Sequence, residues 1–190
     1  MAIHKYLRAA WQSQASTEEY KQRMIAWRQE DATVRVDKPL RLDRAHSVGY
    51  KAKQGFVVVR QRVLRGGHKR ETIRKGRRSA HYHQRKNLSI SYQVIAEGRA
   101  SDKFSNLEVL NSYFLCKDKR YYWFEVILID PQHPNIKKEE SLANAASKKG
   151  RVARGLTRAA KRSRGQRSKG KGHEKNFPSL SAKKNLGRGN

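Results

Sequence analysis

The sequence predicts an α+β protein, with a small mixed or antiparallel sheet, helices packed against it, a long basic loop and a basic C-terminal extension. Three observations lead to this prediction. Apolar residues recur at helical spacing over positions 1–34, strand-like apolar runs follow, and positive charge is concentrated in two separate segments. The length of 190 residues allows one domain, or one domain with a long extension.

The N-terminal segment, positions 1–34, predicts two helices. Its apolar residues recur at helical spacing, first as Ile3, Leu7, Ala10 and Trp11 and then as Tyr20, Met24 and Trp27. Ser16 is followed three positions later by Glu19, which fits a capping box and would begin the second helix. We expect the aromatic side chains to pack against a sheet, because large rings usually supply core area.

Three apolar runs predict strands, at residues 56–64, 106–115 and 121–130. The polar stretch 116–120 separates the last two runs, which indicates an antiparallel hairpin. Pro131 ends the final run, because proline cannot donate a hydrogen bond to a neighbouring strand. Residues 32–36 predict a short additional strand.

Residues 88–100 fit two structures. Leu88, Ile90, Tyr92 and Val94 alternate as they would on a strand, whereas Leu88, Tyr92 and Ile95 also share one helix face. Local spacing leaves both alternatives open.

Charge divides the chain into four segments. The formal net charge is +28, from 44 basic and 16 acidic residues. Residues 1–34 and 93–140 carry net charges of only +1 and −1, whereas residues 35–92 and 141–190 carry +14 each. A free protein of this charge would repel itself strongly, so we expect a polyanionic partner, with nucleic acid as the leading candidate.

Composition also predicts the domain organisation. Residues 1–140 form an α+β core with a basic loop at 65–86, and residues 141–190 form a basic extended tail. Leu, Ile, Val and Phe together supply only six positions of this tail. Highly charged segments in which these residues make up less than about 20% usually cannot fold alone, so we expect the tail to order on RNA. One short helix is predicted at 156–163.

The sequence supports no catalytic, metal or cofactor site. His68, His81 and His83 invite a metal site, but two histidines at alternate positions diverge on a strand and the surrounding charge is strongly positive. Gly165, Gly170 and Lys171 match a phosphate-binding loop, but Gly172 stands where Ser or Thr must hold magnesium.

Cysteine and hydropathy set further limits. Cys116 is the only cysteine, so no intrachain disulfide can form. Its position at the end of an apolar run favours a small buried hydrophobe over a nucleophile. No apolar run approaches the roughly 20 residues of a membrane helix, and residues 1–20 lack the pattern of a secretory signal, so we expect no membrane.

A set of ordered motifs resembles the "fifteen-e" (L15e) family of large-subunit ribosomal proteins of archaea and eukaryotes. The motifs are Gly-Tyr-Lys-Ala-Lys-Gln-Gly-Phe-Val-Val at 49–58, Arg-Gly-Gly at 65–67, Val-Leu-Asn-Ser-Tyr at 109–113, Phe-Glu-Val-Ile-Leu-Ile-Asp-Pro at 124–131, Arg-Gly-Leu-Thr at 154–157 and Ser-Arg-Gly at 163–165. The sequence departs from the family pattern at residues 76–86 and 174–190.

The resemblance implies a cytoplasmic, non-enzymatic constituent of the large ribosomal subunit, with large-subunit ribosomal RNA and other ribosomal proteins as partners. It also implies that residues 88–100 are helical. A peripheral ribosome-associated factor, or a protein that compacts DNA or RNA non-specifically, is the alternative. No small-molecule substrate or cofactor is expected.

Two groups of residues are predicted to bind RNA. The resemblance assigns Lys51, Lys53, Gln54, Arg65, Gly66, Gly67, Arg154 and Arg164. The dense basic stretches, in which Arg favours bidentate phosphate contacts and Tyr offers a ring face to bases, add Arg41, Arg44, His68, Lys69, Arg70, Arg74, Lys75, Arg77, Arg78, Tyr82, Arg85, Lys86, Arg151, Arg158, Arg162, Arg167, Lys169 and Lys171.

Overall fold

The computed structural model describes residues 2–14, 17–67, 88 and 90–167. In chain order these residues form α1 (Ala2–Gln14), α2 (Glu18–Gln29), β1 (Thr33–Val36), α3 (Leu42–Ser47), β2 (Phe56–Leu64), α4 (Tyr92–Lys103), β3 (Glu108–Lys117), β4 (Tyr121–Ile129), α5 (Pro134–Lys137), α6 (Glu140–Ala146) and α7 (Arg158–Ser163). Within these ranges, no helix is long and apolar enough to cross a membrane.

The four strands form one antiparallel sheet in the order β1-β2-β4-β3. β2 pairs with β4 along its whole length, from Phe56 opposite Ile129 to Leu64 opposite Tyr121. β3 and β4 form the predicted hairpin, with its turn at 118–120. The α+β fold class and an antiparallel sheet are therefore confirmed.

The central strand β4 is covered on both faces. Trp123, Ile127 and Ile129 belong to one cluster of buried residues, and the alternating residues Phe124 and Val126 belong to a second cluster on the opposite face. A strand buried on both sides has no need of polar alternation, which explains why its sequence is apolar at nearly every position, with buried Glu125 as the one charged residue.

Helices cover both faces of the sheet. Trp27 of α2, Ile136 of α5 and Leu142 of α6 pack in the first cluster, and Ala96 and Ala100 of α4 pack in the second. These side chains are buried, so the core has a helix–sheet–helix arrangement.

Helix α2 begins one residue later than the predicted capping box. Thr17, not Ser16, is the N-cap, and its hydroxyl accepts a hydrogen bond from the backbone N–H of Tyr20 at 3.4 Å. Ser16 lies outside the described residues. The capping assignment was wrong because two adjacent hydroxyl residues both satisfy the N-cap preference. Glu18 and Glu19 lie in the first turn, where the helix dipole favours negative charge.

Residues 92–103 form a helix, which decides the ambiguity of the 88–100 region. Ser91 is the N-cap of α4 and accepts a hydrogen bond from the N–H of Val94 at 3.4 Å. The helix therefore begins after Leu88 and Ile90, which precede it in the chain. The helical structure agrees with the family resemblance, although its start differs.

Part of the basic C-terminal segment packs against the core. Leu142 and Ala146 of α6 and Ala159 and Ala160 of α7 are buried. The predicted short helix at 156–163 is confirmed as α7, with Thr157 as its N-cap. These buried side chains lie beyond the compositional boundary at residue 141, and the division of the chain there and the ordering of the tail on RNA stay predictions.

Candidate nucleic-acid interface

The loop between α3 and β2 presents a short cationic surface. Lys51, Lys53 and Gln54 are exposed, while Tyr50 is held between His46, whose ring is parallel at 6.1 Å, and Phe56, whose ring is edge-on at 5.7 Å. The amine of Lys51 forms an ion pair with Glu139. The hydrogen bond that the Lys51 amine donates to Glu139 lowers the pKa of this carboxyl group, with a further contribution from the charge of Lys53.

The start of the basic loop is anchored at residues 65–67. The hydroxyl of Tyr92 accepts a hydrogen bond from the N–H of Gly66 at 2.8 Å and donates one to its carbonyl at 3.0 Å. Arg65 donates to the carbonyl of Asp118 at 2.7 Å and lies over the ring of Tyr122. Gly66 and Gly67 are exposed beside these contacts. The loop therefore leaves the sheet from a defined point.

The arginines of the C-terminal segment fall into two groups. Arg151 donates to the carbonyl of Val109 at 3.0 Å, and Arg164 donates to the carbonyl of Gly155 at 3.0 Å. Burial lowers the pKa of Arg151, and Glu108 and Glu97 oppose this effect. These two predicted RNA-binding residues hold the segment in place. The others in this region are exposed: Arg154, Arg158, Arg162 and Arg167.

Arg41 and Arg44 differ in the same way. Arg41 is nearly buried, pairs with buried Asp43 at 3.2 Å and lies over the ring of Trp11, whereas Arg44 is exposed. The structure brings both together with exposed arginines of the C-terminal segment, because Arg41, Arg44, Arg158, Arg162 and Arg167 line a single cavity.

Twelve predicted RNA-binding residues lie outside the described residues. They are His68, Lys69, Arg70, Arg74, Lys75, Arg77, Arg78, Tyr82, Arg85, Lys86, Lys169 and Lys171.

The sequence reasoning did not single out Phe114, which is 39% exposed and lines the same cavity as the five arginines. β3 carries register shifts between Val109 and Asn111 and between Phe114 and Cys116, so its more exposed positions recur every third residue. Simple alternation on a strand does not predict this spacing, so the sequence pattern gave no signal for this ring.

Two buried glutamates stabilise the core that carries this surface. Glu97 accepts hydrogen bonds from the hydroxyls of Ser112 and Thr157, the latter at 2.6 Å. Glu125 accepts from the hydroxyl of Tyr113 and from the N–H of Leu40 at 3.2 Å. Burial raises the pKa of both carboxyl groups, against the effect of these hydrogen bonds. Glu97 thus links α4, β3 and α7.

The raised pKa values of Glu97 and Glu125 predict that the contribution of each of these carboxyl groups to stability falls as pH rises. A carboxyl group with a raised folded-state pKa stabilises the fold fully below its unfolded pKa, about 4.3, and loses that contribution as pH rises through the folded value. We expect the stability of the wild type relative to Glu97→Gln to decrease as pH rises above the unfolded pKa of about 4.3, measured by urea unfolding at several pH values. A difference that is constant or increases with pH would contradict this prediction. Glu139→Gln serves as the control, because the pKa of that half-buried carboxyl is lowered and its contribution to stability has the opposite pH dependence.

Cys116 is buried in the core, as its position predicted. Burial raises the pKa of its thiol to about 12, so the group stays protonated at neutral pH. Among the described residues, no group of three or more His, Cys, Asp or Glu side chains is arranged to hold a metal ion.

The fold and this surface define a class of protein: a small α+β core whose loops and C-terminal segment present exposed arginine and lysine. The ribosomal L15e family model, described as Ribosomal L15, matches residues 2–183. The chain is 46% identical to large ribosomal subunit protein eL15 of Methanocella arvoryzae over 95% of each chain. Identity is 47% with eL15 of Methanospirillum hungatei over 97% of each chain, and 45% with eL15 of Thermoplasma volcanium over 98%.

This chain belongs to the ribosomal L15e family. The resemblance that the sequence motifs indicated is confirmed along almost the whole chain.

Proposed function

We propose that this chain is a structural, non-enzymatic constituent of the large ribosomal subunit in the cytoplasm. In this proposal it binds large-subunit ribosomal RNA through the 51–54 loop, the basic loop at 65–86 and the C-terminal segment, and it contacts neighbouring ribosomal proteins. The proteins that it resembles are named as components of that subunit.

One observation carries the RNA-binding part of the proposal. A core with buried, hydrogen-bonded polar groups presents exposed arginines, among them Arg44, Arg158 and Arg162, that have no carboxylate partner within the described part of the chain. Guanidinium groups left unpaired on one surface suit phosphate binding, because each can donate two parallel hydrogen bonds to phosphate oxygens. Recognition would depend mainly on RNA shape and backbone.

Sedimentation of the native protein through a density gradient, at moderate and at high salt, tests this proposal. We expect the protein to migrate with the large subunit at both salts, because extensions interwoven with RNA do not dissociate when surface charge is screened. Loss from the subunit at high salt would indicate a peripheral factor held by exposed charge. Migration with DNA, or free, would overturn the ribosomal assignment in favour of a compacting protein.

Charge reversal in the 51–54 loop should impair assembly without unfolding the core. Lys51 and Lys53 are exposed, and the ion pair of Lys51 with Glu139 is a surface pair of small energetic value. We expect the Lys51→Glu/Lys53→Glu variant to be depleted from mature subunits by about tenfold, because each reversed charge loses a favourable phosphate interaction. The measurement is the amount of tagged variant in purified subunits relative to a tagged wild type.

Glu139→Gln is the matched control for this pair. It removes the same ion pair but keeps both lysines, so incorporation should equal that of the wild type. Recovery of the charge-reversed variant at wild-type levels would remove the 51–54 loop from the proposed interface.

A further inference from the structure

A polar cavity of about 230 Å³ lies where α3, the edge strand β3 and α7 meet. Five of its lining residues are arginines. Arg41 and Arg44 come from the α3 region, and Arg158, Arg162 and Arg167 come from the C-terminal segment, which follows β2, β3 and β4 in the chain. The cavity is therefore assembled by the fold from two basic segments that are distant in sequence.

Among the described residues, no carboxylate lines this cavity. Arg41 alone is paired, through Asp43, and its Nε atom is buried with no hydrogen-bond partner in the described part of the chain. Positive charges gathered around one small cavity repel one another, and an anion placed between them converts that repulsion into attraction. The electrostatics of the cavity favour an anion with several acceptor oxygens.

The side chains that line the cavity favour a nucleotide unit over a simple anion. Guanidinium groups match phosphate geometry through paired N–H donors. Phe114 lies beside them with 39% of its surface exposed, and an exposed ring is a stacking platform for an unpaired base. A phosphate on the arginines and a base on the ring is the unit that single-stranded RNA repeats.

Docking of α7 on the core is needed to complete the cavity. Ala159 and Ala160 are buried between the cavity-lining arginines Arg158 and Arg162 in the sequence. The hydroxyl of Thr157 donates to buried Glu97 at 2.6 Å, which fixes the start of the helix. The two basic segments are thus brought together by buried alanines and by the Thr157–Glu97 hydrogen bond, none of which carries positive charge.

We propose that this cavity, here named the arginine cavity, binds one backbone phosphate of unpaired ribosomal RNA, with an adjoining base stacked on Phe114. This inference rests on the proposed function and deepens it, because it assigns one composite RNA site to the core and the docked C-terminal segment together.

Binding of the full-length chain to protein-free large-subunit ribosomal RNA, measured by filter binding over a series of KCl concentrations, tests the arginine cavity. We expect Arg158→Gln/Arg162→Gln to weaken binding about tenfold and to reduce the magnitude of the log–log salt slope by about 0.7 to 0.9, for one lost phosphate contact. The matched control is Lys149→Gln/Lys161→Gln, which removes two exposed positive charges from the same segment but outside the cavity. Cooperative urea unfolding of each variant shows that the fold is retained.

The outcomes separate the two proposals. Failure of the wild type to bind this RNA would overturn the proposed function itself. Equal weakening in the cavity variant and the control, with the wild type binding, would overturn only the arginine cavity. Polyglutamate is the second probe and stands for an acidic peptide. If the cavity variant and the control bind RNA equally, but the cavity variant alone loses binding to polyglutamate, the cavity takes an acidic peptide and the RNA assignment is wrong.

Ultraviolet crosslinking of the same RNA supplies a second readout. We expect a nucleotide on the tryptic peptide 104–117 of the wild type, and its loss in Phe114→Leu, which keeps the site apolar but removes the stacking ring. The control variant should crosslink as the wild type does. Absence of a crosslink on this peptide in the wild type would overturn the stacking part of the proposal.

Discussion

A chain that ends at residue 140 should be less stable than a chain that ends at residue 167 by about 3 kcal/mol or more, because the shorter chain loses the buried side chains of Leu142, Ala146, Ala159 and Ala160. Burial of one leucine alone stabilises by about 1.5–3 kcal/mol. The truncation also removes Thr157, which leaves Glu97 buried with one hydrogen-bond donor fewer, at a cost of about 1–3 kcal/mol.

Urea unfolding of the two chains, followed by tryptophan fluorescence, measures this difference. All three tryptophans lie before residue 140, so both chains carry the same probes. Residues 141–167 contain nine basic and no acidic residues, so their removal reduces self-repulsion and would by itself favour the folded state. A loss of stability therefore reports on packing. Equal midpoints and slopes would show that this segment is not part of the folding unit.

Gly55→Ala should destabilise the core by about 2–5 kcal/mol, a sum of about 1–2 kcal/mol of backbone strain and about 1–3 kcal/mol of overpacking. Gly55 has φ +93°, and a Cβ atom added there would lie 2.8 Å from Cγ1 of Ile136 and 3.0 Å from Cγ of His133. Ile136 is fully buried, so it cannot move aside freely. Urea unfolding of the full-length variant checks the magnitude.

Gly98→Ala is the matched control for this glycine substitution, because Gly98 lies within α4 and an added Cβ atom would meet nothing within 4 Å. We expect it to stabilise the protein by up to about 1 kcal/mol, since alanine is the better helix former. Opposite signs at the two positions would support the steric explanation. Similar losses at both would indicate a general intolerance of glycine replacement.

Local sequence patterns predicted the strands well because these strands are strongly apolar. The predicted strand at 56–64 has the observed bounds of β2, and the predicted runs at 106–115 and 121–130 differ from β3 and β4 by at most two positions at any end. The region 88–100 was ambiguous because both helical and strand spacing placed Leu88 and Tyr92 on an apolar face. Tertiary packing of Ala96 and Ala100 on the sheet favours the helix there.

The sequence predicted which residues of the candidate site are basic, but not how these residues are arranged in space. Composition indicates which residues are basic, yet it does not show that Arg151 and Arg164 donate their hydrogen bonds to backbone carbonyls while Arg158 and Arg162 remain exposed. Nor does it show that Phe114 is exposed, because β-bulges shift its position relative to simple alternation. These distinctions depend on contacts between residues far apart in sequence.

The sequence by itself determined the fold class, the strand runs, the separation of neutral core from cationic segments and the family, because each depends on residue type and order along the chain. Only the tertiary structure decided that residues 140–163 pack with the core, and which arginines meet across α3, β3 and α7. The physical reason is that burial and charge proximity are properties of three-dimensional distance. A segment poor in apolar residues can still pack on the core when a few alanines are buried there and one threonine hydroxyl donates a hydrogen bond to a buried glutamate.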